Sequence, residues 1–179
     1  MDVERNAVNK YSQRGTSTVK WAFNYRGLGG PWWYTLRMEK RDWLLLALHF
    51  AGARGLSPVQ LQKSLFLLAM EVPEVRQDFY EFVPHNYGPF SKQIYLDAEV
   101  LDDNGCAAIE PHGSYSQYLI TEAGREHLKA IEKRGGFSER AYNYLSDAVG
   151  WTQRQGFSSL VRAIYKKYPA YRVNSVFQY

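Results

Sequence analysis

The residue types that support catalysis occur in this sequence, but their spacing matches no familiar active site. Ser91, Ser114 and Ser158 lie outside any nucleophile-elbow pattern, and no glycine-rich phosphate-binding signature is present. The four histidines lack the paired spacing of metal ligands: His49, His85, His112 and His127. The single cysteine, Cys106, is typical of a small buried hydrophobe at the start of a strand. We therefore expect no catalytic residue, no metal and no cofactor, and predict that the protein is not an enzyme.

The start of one predicted helix offers a different chemistry, the reading of DNA bases. In a DNA-binding helix, Gln93 could contact adenine, and Lys92 could contact guanine or a phosphate. We expect four exposed residues to form this surface: Ser91, Lys92, Gln93 and Tyr95. Four acids follow on the same helix and would repel phosphates, although their spacing is not that of a calcium loop: Asp97, Glu99, Asp102 and Asp103. The alternative, in which Ser91 is only a helix cap and Lys92 only a solvated side chain, stays open.

Two further segments carry side chains that suit nucleic-acid contacts. The tip of a predicted β-hairpin could touch an adjacent groove through four residues: His112, Ser114, Tyr115 and Gln117. Near the C-terminus, bases alternate with tyrosines and could contact phosphates or a partner: Arg162, Lys166 and Lys167. The alternative for this basic strip is a soluble helix face over a tyrosine-rich core.

Charge is distributed unevenly along the chain. The formal net charge of the whole chain is +4. Residues 1–37 have six bases and two acids, a net charge of +4. Residues 38–111 have six bases and eleven acids (−5), and residues 112–179 have ten bases and five acids (+5). Phosphate binding depends on local positive potential, because much of its free energy comes from neutralised phosphates. Any nucleic-acid surface is therefore expected on the N-terminal segment or the C-terminal third.

The elements that would position these residues are mostly helices. A first helix is predicted over residues 42–53, with Asp42 as its cap. Ser57 caps a second helix, and Gln60 completes a capping box. In the second helix, four apolar residues recur at helical spacing and are expected to form its buried stripe: Leu61, Leu65, Leu68 and Ala69. Gln62 and Lys63 are expected to lie outside this stripe.

The remaining elements follow in a regular order. Residues 79–84 are expected to be extended, and the helix after Ser91 turns three apolar residues inward: Ile94, Ala98 and Leu101. A β-hairpin is predicted from segments 106–110 and 115–120, followed by a helix over 122–134 that Thr121 caps. Two more helices are expected, capped by Ser138 and Ser158.

This order of three helices, a hairpin and a fourth helix is that of a winged helix-turn-helix. We predict a mainly α fold with a small β-hairpin (α+β), in which residues 38–134 form the winged core, with the hairpin beside the third helix. Residues 135–179 form a helical extension packed on that core, and residues 1–37 form a poorly ordered basic and aromatic extension. Because helical patterning begins after Met38, we expect translation to start there; an intact mass that includes residues 1–37 would contradict this.

Three segments together resemble one protein family: Leu61-Gln62-Lys63, Tyr87-Gly88-Pro89-Phe90-Ser91 and Asp103-Asn104-Gly105. They are similar to Panacea-type and related uncharacterised bacterial winged-helix proteins. The segment 119–125 also resembles the junction between wing and helix in many bacterial winged-helix regulators. The resemblance implies a winged-helix fold, and a role either as a regulator or as an antitoxin or adaptor.

Fold and resemblance together predict a bacterial transcriptional regulator that binds double-stranded DNA as a homodimer. The alternative is a protein–protein adaptor, an antitoxin-like protein or a defence-system subunit, whose partner is a toxin or another subunit. The longest apolar run, over residues 43–50, is shorter than the ~18 residues of a membrane span. A single cysteine suits a reducing compartment. We therefore expect a cytoplasmic protein without a membrane partner.

Overall fold

Two leucine-rich helices form the centre of the fold. The computed structural model describes residues 38–135 and 138–177, so the expectations for residues 1–37 lie outside the described residues. Helix α1 spans Lys40–Ala51 and helix α2 spans Pro58–Glu71. Their leucines are fully buried: Leu44, Leu45, Leu46, Leu48, Leu61, Leu65 and Leu68. Every residue from Leu61 to Ala69 is buried, so α2 is covered on all sides.

The two helices begin with reciprocal caps. At α2 the predicted capping box is confirmed, because the Ser57 amide donates to Gln60 Oε1 at 3.0 Å and the Gln60 amide donates to Ser57 Oγ at 3.4 Å. At α1 the predicted cap is wrong. Glu39 occupies the cap position, and Asp42 lies inside the first turn, where its carboxylate accepts the Glu39 amide at 2.9 Å.

A short hairpin, absent from the sequence prediction, separates α2 from α3. Strand β1 (Val83–His85) pairs antiparallel with β2 (Gly88–Phe90), with Val83 opposite Phe90. Gly88 has a φ of 97°, in the region that favours glycine. A Cβ at this position would lie 3.3 Å from the Tyr165 ring, so the hairpin also passes close to the C-terminal part of the chain.

The predicted hairpin is present and lies beside α3 (Lys92–Asp103), as expected. Strand β3 (Ala107–His112) pairs with β4 (Tyr115–Ile120) around a two-residue loop. Asp102 Oδ1 accepts the amide of Ile109 at 3.3 Å, and the rings of Tyr95 and Tyr118 stack with centroids 6.1 Å apart. These contacts fix the ribbon against the helix.

Three more α-helices follow, and a short 3-10 helix (Pro169–Arg172) comes after the last of them: α4 (Glu122–Glu132), α5 (Glu139–Arg154) and α6 (Phe157–Lys167). The caps of α4 and α5 are confirmed, since Thr121 Oγ1 accepts the Gly124 amide at 3.1 Å and Ser138 Oγ accepts the Ala141 amide at 3.4 Å. Ser158 is not a cap, because α6 begins two residues earlier than predicted, at Phe157, with Gly156 in the cap position.

Helix α5 packs against both α1 and α2 and covers the side of α2 that carries Ser64. The Ser64 and Thr152 hydroxyls lie 2.9 Å apart and are fully buried. A second apolar cluster joins Phe66 to Leu160 and Ile164. In the described residues the fold is therefore mainly helical α+β with two small antiparallel hairpins. Within the same residues, none of the helices combines the length and the apolar character needed to cross a bilayer.

Candidate functional site

The Leu-Gln-Lys segment of α2 and the Tyr-Gly-Pro turn meet in the interior and anchor the start of α3. Gln62 Oε1 accepts the Ser91 amide at 2.9 Å, and Gln62 Nε2 donates to the Ser91 carbonyl at 2.9 Å. Next to this pair, Lys63 Nζ donates to the Pro89 carbonyl at 3.0 Å. Gln62 is 2% exposed and Lys63 is 3% exposed. Their predicted place outside the buried stripe is therefore wrong, because strand β2 and the following residue, Ser91, supply backbone partners for them.

The outward face of α3 changes character along its length. Lys92 and Gln93 are exposed in the first turn, and Gln93 Nε2 donates to Asp97 Oδ1 at 3.0 Å. Beyond that turn, four exposed residues recur at three- and four-residue spacing and share one stripe: Leu96, Glu99, Val100 and Asp103. Leu96 is 41% exposed and Val100 is 37% exposed. We call these four residues the α3 stripe; it is apolar and acidic.

Two of the four residues predicted to be exposed on α3 are not. Ser91 is only 5% exposed and its backbone is held by Gln62; it occupies the cap position, but its side chain makes no cap hydrogen bond. Tyr95 is half-buried between Phe90 and Tyr118. Burial, with a smaller effect of Tyr118, raises the pKa of Tyr95 to about 12. Neither side chain is exposed on the outward face of α3 in the way that Lys92 and Gln93 are.

At the hairpin tip, three of the four predicted residues are exposed: His112, Ser114 and Tyr115. The His112 and Tyr115 rings contact each other, with centroids 5.2 Å apart. Gln117 is half-buried, and its side-chain amide donates to the Arg54 carbonyl. Gln117 therefore ties the hairpin to the turn after α1 rather than extending the tip.

The predicted basic strip lies on α6, which packs against β2. Arg162, Lys166 and Lys167 are all exposed. Lys167 Nζ lies 2.8 Å from Glu71 Oε1, and this bond, followed by one from Tyr168, lowers the pKa of Glu71. The Arg162 guanidinium lies 5.9 Å from the centroid of the Phe177 ring. The predicted site residues are thus divided among the start of α3, the hairpin tip and α6.

The sequence prediction missed the α3 stripe, although a signal for it was present. The inward face of helix α3 was predicted correctly, since Ile94, Ala98 and Leu101 are buried. Leu96 and Val100 are apolar residues of the same helix that do not belong to the inward face. They are four positions apart and have acidic neighbours on the helix. Two apolar side chains on one exposed face, in this pattern, mark a candidate contact surface.

Comparison with known proteins yields no match, either to a family model or to a curated protein. Within residues 38–135 and 138–177, no three histidine, cysteine or acidic side chains cluster as ligands for a metal ion. Cys106 is buried, and burial raises the pKa of its thiol. The candidate site therefore stands on the geometry of α3 and its surroundings.

Proposed function

We propose that the protein is a protein-binding module with a winged-helix arrangement, and that the α3 stripe binds a partner rich in apolar and basic side chains. In this arrangement α1, α2 and α3 are the helical core, and β3–β4 is the wing. The order of elements and the position of the hairpin beside α3 support this reading. The resemblance to Panacea-type proteins favours an adaptor, antitoxin-like or defence-system role.

The observation that carries the proposal is the composition of the α3 stripe. A helix that enters the DNA major groove needs neutral or basic side chains near the phosphates. Glu99 and Asp103 are exposed there, and a pair of like charges at 4 Å costs about 1 kcal/mol even in water. Leu96 and Val100 beside them provide apolar area of the kind found in the centres of protein interfaces.

DNA binding is the second candidate function, and the exposure of Lys92 and Gln93 favours it. Both lie in the first turn of α3, from which a recognition helix contacts bases. His112, Ser114 and Tyr115 are exposed at the tip of the neighbouring hairpin. Against this, Gln93 is tied to Asp97 and the rest of the outward face is acidic or apolar.

Site-directed photocrosslinking in the native host tests the first candidate. A photoreactive residue at position 96 should capture one dominant protein, and the same residue at position 173 should not. Val173 is a matched control because it is an apolar residue that is 74% exposed outside the α3 stripe. With the captured protein in purified form, Glu99→Lys plus Asp103→Lys should lower the affinity about tenfold or more by removing charge complementarity.

A DNA titration gives the decisive contrast. Fluorescence anisotropy with a random-sequence duplex should show negligible binding at ~50 mM salt. Tight binding that weakens steeply towards ~200 mM salt, and that is lost in Lys92→Ala plus Gln93→Ala, would replace the protein-binding proposal with the second candidate.

A further inference from the structure

A cavity lies between α2, the β1–β2 hairpin and the first turn of α3. Its volume is about 180 Å³, comparable to a cavity of ~150 Å³ that accommodates benzene in another protein. Six of the residues that form its walls carry the argument: Val59, Lys63, His85, Tyr87, Phe90 and Tyr95. The space therefore suits a small molecule of roughly one ring.

Lys63 gives this cavity its chemistry. The side chain is 3% exposed, and the Pro89 carbonyl is its hydrogen-bond partner among the described residues. An ammonium group has three N–H donors, so two remain for other acceptors. Over residues 38–135 and 138–177 no carboxylate forms an ion pair with it. A buried charge without a counter-charge is costly, and an anion in the cavity would remove that cost.

The other walls suit a flat apolar group. The His85 and Phe90 rings stack, with centroids 4.7 Å apart and an angle of 28° between them. Phe90 meets Tyr95 edge-on at 5.7 Å, and Tyr95 in turn stacks on Tyr118. Gln62 also lines the space, but both polar atoms of its side chain are engaged by Ser91. Among the residues that line the space, Lys63 is the one that carries an ammonium group, and this group is the partner we assign to an anion.

We propose that this cavity binds a small aromatic monocarboxylate, with its carboxylate on Lys63 Nζ and its ring against Phe90 and Tyr95. One negative charge matches one buried ammonium, and a single ring matches the volume. The site is separate from the α3 stripe, so the proposal does not depend on the proposed function.

Benzoate is the probe, and benzyl alcohol is its neutral counterpart of similar shape. By isothermal titration calorimetry at about pH 6, benzoate should bind one to one and at least about tenfold more tightly than benzyl alcohol, as expected for a charge-assisted hydrogen bond. In Lys63→Met the benzoate affinity should fall about tenfold while that for benzyl alcohol stays within about twofold. Lys92→Met, at an exposed lysine of α3, is the matched control and should change neither affinity.

A measurement on the unmodified protein covers the case in which Lys63→Met does not fold. With ¹³C-labelled lysine, saturating benzoate should raise the titration midpoint of Lys63 by about one pH unit or more. The other titratable groups around Lys63 are His85 on β1, Tyr87 in the hairpin turn, Tyr95 on α3 and Tyr165 on α6. Equal affinity for the two probes, no saturable benzoate binding, or an unmoved Lys63 midpoint would each overturn the proposal.

Discussion

Replacing Lys63 with methionine is expected to stabilise the protein at neutral and acidic pH and to lose this advantage in alkali. Methionine keeps an unbranched side chain of similar length but carries no charge. In the folded chain the Lys63 ammonium is buried and unaccompanied by a carboxylate among the described residues. The substitution therefore removes a charge that folding has to take out of water.

The pKa of Lys63 determines how much free energy the buried charge costs the folded protein. Burial lowers this pKa from 10.5 to about 7. Between these values the unfolded chain holds a proton that the folded chain lacks, so the free energy of unfolding rises with pH across this window. Below about pH 7 both states are protonated, and the full cost of the buried charge is present. At about 1.4 kcal/mol per pH unit, this cost is on the order of 5 kcal/mol.

The substitution also removes the hydrogen bond to the Pro89 carbonyl, and this loss reduces the gain in stability by about 1–2 kcal/mol. Lys63→Met should therefore raise the free energy of unfolding by ~3 kcal/mol at about pH 6 and lower it by ~1 kcal/mol near pH 10. Urea unfolding followed by tryptophan fluorescence, in buffers without carboxylates, measures both differences.

The difference in stability between Lys63→Met and the unmodified protein excludes the contribution of groups that titrate in both. Cys106, whose pKa is raised by burial, is one such group. Lys92→Met, at an exposed lysine, should change the free energy of unfolding at about pH 6 by less than ~0.5 kcal/mol. The reasoning fails if the stability difference for Lys63→Met is the same at every pH, or if the unmodified protein is the more stable one at about pH 6.

Two further substitutions test the packing that positions α3 and α4. Gln62→Leu removes both bonds to the Ser91 backbone and should lower the free energy of unfolding by ~2–4 kcal/mol in urea titrations, whereas Gln93→Leu on the surface should change it by less than ~0.5 kcal/mol. Gly124→Ala places a methyl group against the backbone carbonyl of Cys106, the residue before β3, and should lower the melting temperature by several degrees. In contrast, Gly150→Ala inside α5 should raise it, and equal effects of the two alanines would contradict the assigned contact.

Local signals in the sequence were sufficient to predict most helices of the described chain. The caps at Ser57, Thr121 and Ser138 form as expected, because each depends on a side chain bonding to an amide two or three positions away. The hairpin over β3 and β4 was predicted as well, since polar turn residues separate two strand-like segments. Ser158 failed as a cap because the preceding Gly156 allows α6 to start earlier.

The candidate site was predicted only in part. Lys92, Gln93 and the hairpin tip are exposed as expected, but Ser91 is buried and Gln117 is engaged by the turn after α1. The β1–β2 hairpin was not predicted, because three-residue strands leave too little alternation to read.

The α-helices could be located from the sequence, because helical periodicity and capping act within a few residues. The burial of Gln62 and Lys63 could not, since it depends on how distant parts of the chain pack together. A polar side chain can be buried only where the fold supplies its partner. The partners here are the Pro89 carbonyl in β2 and the backbone of Ser91, the residue after β2, which lie 26 and 29 residues along the chain. That distance lies beyond the reach of any local pattern.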